Sequence, residues 1–178
     1  MTQQIGKRQV RELISQERIE RRIDELAREI DRDYEDSDGV VAVGVLKGAV
    51  FFMVELLERL NVSVEVDFFQ TSSYSGTSRG EVRILQDVTL SIKDRDVLLI
   101  EDIVDTGHTL RTVLGLLRYR GARSVKLAAL LDKAEAREVD VPIDYCGFGI
   151  ENLFVVGYGL DFDEKWRNLP YVGVVHDV

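Results

Sequence analysis

The stretch VLLIEDIVDTGHTL, residues 97–110, decides how the rest of the chain is read. Residues 97–100 are apolar at every position, as a strand covered on both faces at the centre of a parallel sheet must be. Two acids follow, Glu101 and Asp102, and then the short turn Asp105-Thr-Gly-His-Thr109. Beyond it Leu110, Val113, Leu114 and Leu117 form one helical stripe, closed by Gly121. In this order a helix N-terminus offers free N–H groups and a positive dipole end to an anion. Gly107 lets the backbone approach a ligand closely, and Thr106 and Thr109 add hydroxyl donors. The turn reads as a cradle for one phosphate. It lacks the lysine and the longer spacing of a nucleoside-triphosphate loop, and no G-x-G-x-x-G follows a strand anywhere in the chain. The acids before it suit hydrogen bonds to vicinal sugar hydroxyls, or a magnesium shell.

Working outward, Ile19, Ile23, Leu26, Ala27 and Ile30 repeat at helical spacing among many charges, an amphipathic helix with a solvated outer face. Val40–Leu46 is a continuous apolar run of strand length; Ala49, Met53, Leu56, Leu57 and Leu60 repeat as a helix; 62–69 reads as a strand. Residues 70–80 are rich in Ser, Thr and Gly and almost free of aliphatic side chains, which predicts a mobile loop of the kind that closes over a site. Strands resume at 82–85 and 125–131. Strands alternating with helices predict an α/β fold with an open, mostly parallel twisted sheet and flanking helices, in which ligands bind beyond the carboxyl ends of the strands. That edge holds Leu46-Lys47-Gly48, Glu101-Asp102 and Asp132-Lys133. With no repeat or flexible linker, and prolines only at 142 and 170, one domain over 1–178 is expected.

Composition narrows the function. At 178 residues, 45% hydrophobic and 31% charged, the chain can bury a sizeable core. Its apolar runs are far shorter than the roughly 20 residues that span a bilayer, and the start has no apolar signal core, so a cytoplasmic protein is expected, without membrane contact. A formal net charge of −9 repels a phosphate backbone over most of the surface, so nucleic acid is not an expected partner. One cysteine, Cys146, and two histidines, His108 and His176, exclude an internal disulfide and a cysteine-rich zinc site; any metal would be a hard cation held by oxygens. Cys146 reads as a small buried residue and His176 as incidental.

Taken singly, other residues have ordinary readings: Lys133 a surface lysine, Phe154 a core ring, Asp161 and Asp163 a solvated turn, Arg167 half of a surface ion pair. Order and spacing change this. The segment IEDIVDTGHTL resembles the phosphoribosyl-pyrophosphate signature of the type I phosphoribosyltransferases. With LKG at 46–48, SSY at 72–74, Lys133, and FVVGYGLDFDEKWR at 154–167, the chain resembles the hypoxanthine-guanine phosphoribosyltransferases over about 40–175.

That resemblance implies a type I phosphoribosyltransferase fold, with a small hood built from the terminal segments. It implies purine salvage: transfer of the 5-phosphoribosyl group from 5-phospho-α-D-ribose 1-diphosphate to hypoxanthine and guanine, with magnesium. It matches Glu101 and Asp102 to ribose and metal binding, Asp105 to a general base near purine N7, and Thr106, Gly107, His108 and Thr109 to the 5′-phosphate loop. Lys133 matches the contact to the 6-oxo group, Phe154 the ring stacked on the base, and Val155 a backbone contact to the exocyclic edge. Asp161 matches a magnesium ligand and Arg167 a pyrophosphate contact. Lys47 and Gly48 match a pyrophosphate loop that often carries a cis peptide, and Ser73 and Tyr74 the closing loop. A homodimer or homotetramer is implied, with the first loop near a subunit interface. Two positions depart from the commonest pattern, His108 in the phosphate loop and Ala49 after Gly48. Adenine would need an acceptor where Lys133 donates, while xanthine stays open. A regulator of the same fold that binds RNA would need a basic face, which the net charge of −9 opposes.

Overall fold

In the computed structural model, which describes residues 2–5, 8–73 and 82–177, the strand read from residues 97–100 runs from Asp96 to Val104. Numbered in chain order, the strands are β1 (Thr2–Ile5), β2 (Arg8–Ile14), β3 (Val40–Leu46), β4 (Val64–Ser73), β5 (Val82–Gln86), β6 (Asp96–Val104), β7 (Ser124–Asp132), β8 (Tyr145–Gly149), β9 (Val155–Val156) and β10 (Val172–Asp177). The α-helices are α1 (Gln16–Asp33), α2 (Val50–Leu57) and α3 (His108–Tyr119). A six-stranded sheet has the order β5-β4-β3-β6-β7-β8, parallel throughout except for the β4–β5 pair at one edge. The terminal segments form a second, antiparallel sheet, β1-β2-β10-β9.

Burial explains the apolar runs. Leu98 and Ile100 pack with the stripe of α1 and with Phe52 and Met53 of α2, while Val97 and Leu99 pack with Leu110, Val113, Leu114 and Leu117 of α3. The apolar stretch 97–100 of the central strand is thus closed on both sides, as its lack of polar residues requires. Ser15 caps α1, accepting from the N–H of Arg18, and sets the start of that helix upstream of its first apolar repeat. A smaller cluster, Val10, Val156, Trp166, Leu169 and Tyr171, holds the hood together. Among the described residues no helix is long and apolar enough to cross a membrane.

Several expectations shift. Leu60 lies beyond α2, which ends at Leu57. Residues 70–73 are not loop: β4 continues through Ser73, because β5 folds back on it in an antiparallel pairing that satisfies the backbone despite the polar side chains. Tyr74 and the rest of the expected loop, 75–80, lie outside the described residues. Glu101 and Asp102 do not end the strand but lie inside it, since β7 pairs with β6 as far as Val104. Cys146 is only half-buried.

At the amino end of β6, Asp96 accepts from Ser37 Oγ at 3.0 Å, Ser124 Oγ at 2.7 Å and Arg123 Nε at 3.0 Å. Arg123 above all, with the two hydroxyls, holds its carboxyl far below the usual carboxylate range against the opposing effect of burial. A depressed folded-state pKa adds stability above the unfolded value of about 3.9, and that contribution is lost as the pH falls through the lower folded value. Asp96→Asn should therefore lower the melting temperature at pH 7, with a gap from the native chain that narrows below about pH 4. A gap independent of pH would mean that lost packing, not lost charge, causes the effect.

Candidate active site

At the carboxyl edge of the large sheet a cleft of about 320 Å³ is lined from four directions: by Lys47 and Gly48 after β3, Thr71 of β4, Glu101 and Asp102 of β6 with the turn that follows, and Asp161 and Arg167 from the segment between the hood strands. A wider hollow of about 530 Å³, against Tyr34 and Asn61, collects none of the residues that the sequence singles out. The carboxyl edge is where sheets of this topology bind ligands, so the smaller cleft is the candidate site.

The turn after β6 is built around Gly107, whose φ of +92° places it in left-handed space at the N-cap of α3. A Cβ there would come within 2.5 Å of the Val139 carbonyl oxygen, so only glycine fits. Thr106, Gly107 and Thr109 line the cleft. His108 does not: its Nε2 lies 3.0 Å from Glu138 Oε2. The histidine flanks the cradle, and its departure from the common pattern leaves the backbone intact.

The two acids of β6 differ in their surroundings. Glu101 has a buried carboxylate oxygen, Oε2, with no hydrogen-bond partner, and burial followed by the charge of Asp102 pushes its carboxyl well above the usual range. Burial likewise raises Asp102, to about 6, opposed by the N–H of Ile103 and by Arg167 and reinforced by Asp161. An unpartnered carboxylate oxygen beside a second acid in a polar cleft fits a hard divalent cation. Asp161 is engaged elsewhere: it accepts the Glu164 N–H at 2.8 Å and pairs with Arg167 Nη2 at 2.8 Å. Among the described residues no three acidic, histidine or cysteine side chains are gathered into one ready-made metal site.

The Leu46–Lys47 peptide is cis. A Cβ on Gly48 would lie 1.6 Å from Asp102 Oδ2, so the first loop and the acid of β6 meet with no room for a side chain between them. Ala49 is fully buried and accepts the N–H of Met53 at 2.8 Å, so its extra methyl faces the core. Lys47 Nζ pairs with Glu164 Oε2 at 3.0 Å, and the same oxygen lies 3.3 Å from Arg167 Nη2. Arg167 Nη1 donates to the Gly159 carbonyl at 2.7 Å. Residues 158, 163, 164 and 166 all have positive φ without being glycine, a concentration of backbone strain of the kind found at binding sites.

Lys133 is not a surface lysine: it is 7% exposed, with Nζ 3.7 Å from Asp105 Oδ2. Phe154 is not a core ring: it is 53% exposed, edge-on to Phe162 with ring centroids 5.4 Å apart. Val155 is buried in β9, opposite Val174. Of Ser73 the backbone is described, opposite Val82. Two residues escaped the sequence reading. Thr71 sits in a polar run that reads as loop. Arg137, whose Nε donates to the Asp105 carbonyl at 2.9 Å, carried only the signal of a cation four positions beyond Lys133.

Comparison with known proteins agrees with this geometry. A family model described as a phosphoribosyl transferase domain matches residues 9–163. The hypoxanthine-guanine phosphoribosyltransferase of Bacillus subtilis is 47% identical over 165 residues, 92% of this chain and 91% of that protein. The bifunctional protein TilS/HprT of Listeria monocytogenes is 51% identical over 92% of this chain, which spans only 25% of that longer relative. A crystal structure of a hypoxanthine phosphoribosyltransferase from Staphylococcus aureus superposes with a TM-score of 0.89 at 42% identity, covering 93% of this chain and 91% of that one.

Proposed function

The chain belongs to the phosphoribosyl transferase family, and from that premise we propose that it transfers the 5-phosphoribosyl group of 5-phospho-α-D-ribose 1-diphosphate to hypoxanthine and guanine, yielding IMP or GMP and pyrophosphate. One observation carries the reading: a glycine-built turn at the N-terminus of α3, lining the cleft, whose first residue, Asp105, is paired with the buried ammonium of Lys133. A phosphate grip, a carboxylate and a desolvated cation within one turn suit a sugar phosphate held beside a base that presents an oxo group.

In the proposed complex the 5′-phosphate lies against the backbone of Thr106, Gly107 and Thr109, with His108 at its flank, and the acids of β6 hold the ribose hydroxyls. Lys133 donates to the purine 6-oxo group, Phe154 stacks on the ring, and the Val155 backbone meets the exocyclic edge. The bond from C1′ to the pyrophosphate oxygen breaks as a purine nitrogen bonds to C1′ from the opposite face, and the proton displaced from the purine passes to Asp105. Lys47, the Gly48 backbone and Arg167 receive the departing anion. Magnesium, held by Glu101, Asp102 and Asp161, would supply positive charge to neutralise the diphosphate. Arg167 exchanges its present partners Asp161 and Glu164 for substrate.

Pyrophosphate release measured with hypoxanthine, guanine, xanthine and adenine tests the proposal. Turnover with the first two and none with adenine is expected; no turnover with any purine would overturn it. Asp161→Ala should raise the magnesium concentration needed for half-maximal activity by about tenfold, and an unaltered requirement would remove Asp161 from the ligand set. A homo-oligomer is part of the proposal. Phe51 and Val54 of α2, 40% and 52% exposed, and Val66 of β4, 49% exposed, leave apolar surface on elements next to the first loop.

A further inference from the structure

Arg137, beside a phosphate cradle, invites reading as an anion ligand, yet its guanidinium is engaged within the protein. Nε donates to the carbonyl of Asp105 at 2.9 Å, and Nη2 reaches the carbonyl of Val104 at 3.5 Å and the carboxylate of Asp132. The next two residues extend the same surface, the N–H groups of Glu138 and Val139 both donating to the carbonyl of Thr106 at 3.0 Å. A trans peptide unit is planar, so its C=O and N–H point in opposite directions. With the carbonyls of Asp105 and Thr106 held by residues 137–139, the N–H groups of Thr106 and Gly107 must face the other way. Those two residues line the cleft.

We infer that Arg137 is a positioning residue for the reaction: it orients the Asp105–Thr106 peptide so that its N–H is presented to the 5′-phosphate, without touching substrate itself. This rests on the proposed reading that the turn takes a sugar phosphate. The side chains of Arg137 and Asp132 are only 15% and 23% exposed, so water competes weakly for these bonds. A lysine cannot substitute, because the planar fork serves two carbonyls and a carboxylate together, whereas an ammonium on a flexible stem is a point charge. The pyrophosphate side of the cleft, at Lys47, Gly48 and Arg167, has no bond to Arg137 among the described residues.

The test is calorimetric titration of the native chain, Arg137→Lys and Asp132→Asn with ribose 5-phosphate and, separately, with inorganic pyrophosphate, magnesium present throughout, alongside thermal melts. Arg137→Lys should weaken ribose 5-phosphate binding about tenfold, the effect of losing one charge-assisted hydrogen bond, and Asp132→Asn should weaken it by less. Pyrophosphate binding should stay within about twofold in both variants, and in turnover the KM for the diphosphate substrate should rise while the KM for the purine does not. Unchanged ribose 5-phosphate affinity in Arg137→Lys would overturn the inference alone. So would weakening of both ligands in step with a fall in melting temperature, which would mark a merely structural role. Failure of the native chain to bind ribose 5-phosphate would overturn the reading of the turn, and the inference with it.

Discussion

Replacing Asp105 with asparagine should lower turnover by about 10²–10⁴-fold while leaving the KM for the diphosphate substrate within a few-fold. The two effects separate because Asp105 acts through different parts. Its backbone carbonyl is tied to Arg137 and helps fix the turn at 105–109, whereas its side chain reaches toward Lys133 and, in the proposed complex, toward the purine nitrogen. Asparagine keeps the backbone bond and the side-chain shape but cannot accept a proton at neutral pH. It also removes the nearby charge that offsets the buried Lys133 ammonium, so purine affinity should change more than sugar-phosphate affinity. Steady-state kinetics with each substrate varied in turn, joined to ribose 5-phosphate titration, checks the separation. Turnover equal to that of the native chain would show that no proton passes through Asp105. An equal loss of both affinities would show instead that the side chain serves the turn's structure.

The extent to which this site could be read from sequence follows from how local its causes are. Val40–Leu46 was legible to the residue because an all-apolar run admits one explanation, a strand closed on both faces. The turn at 105–109 is legible as a turn because it is compressed into five consecutive residues around Gly107, and that it takes a phosphate is the proposal. The end of β4 was not: the polarity of 70–73 says loop, and only the long-range partner β5 makes those residues strand. Lys133 and Phe154 would each have been misjudged on composition, in opposite directions. A lysine is buried here because Asp105 is near, and a phenylalanine is exposed at the face proposed to take a base. The roles proposed for them come from order and spacing along the chain, which the resemblance supplies. Arg137 stayed hidden because it acts on carbonyl groups, and a carbonyl leaves no mark on the sequence.

Gly107, at the N-cap of α3, and Gly115, inside it, should respond to alanine with opposite signs. Gly115 lies inside α3 with nothing within 4 Å of an added Cβ, so Gly115→Ala should stabilise the chain by about 0.5–1 kcal/mol through helix propensity alone. At Gly107 the same methyl requires left-handed backbone at φ +92° and meets the Val139 carbonyl oxygen at 2.5 Å, Arg137 Cδ at 3.1 Å and Val141 Cγ2 at 3.1 Å. The nearest neighbour is backbone, and it cannot retreat without stretching the bond from the Val139 N–H to the Thr106 carbonyl. Strain and overpacking together should destabilise Gly107→Ala by about 2–4 kcal/mol, and a β-branched residue by more. Function should fall further than stability, because displacing the turn by about an ångström costs on the order of 10²-fold in a positioned reaction. Thermal melts and ribose 5-phosphate titration of both alanine variants form the comparison. If Gly107→Ala bound ribose 5-phosphate within about twofold of the native chain, the phosphate would have to be held elsewhere, since no rearrangement that admits the methyl leaves the peptides of Thr106 and Gly107 where they now lie.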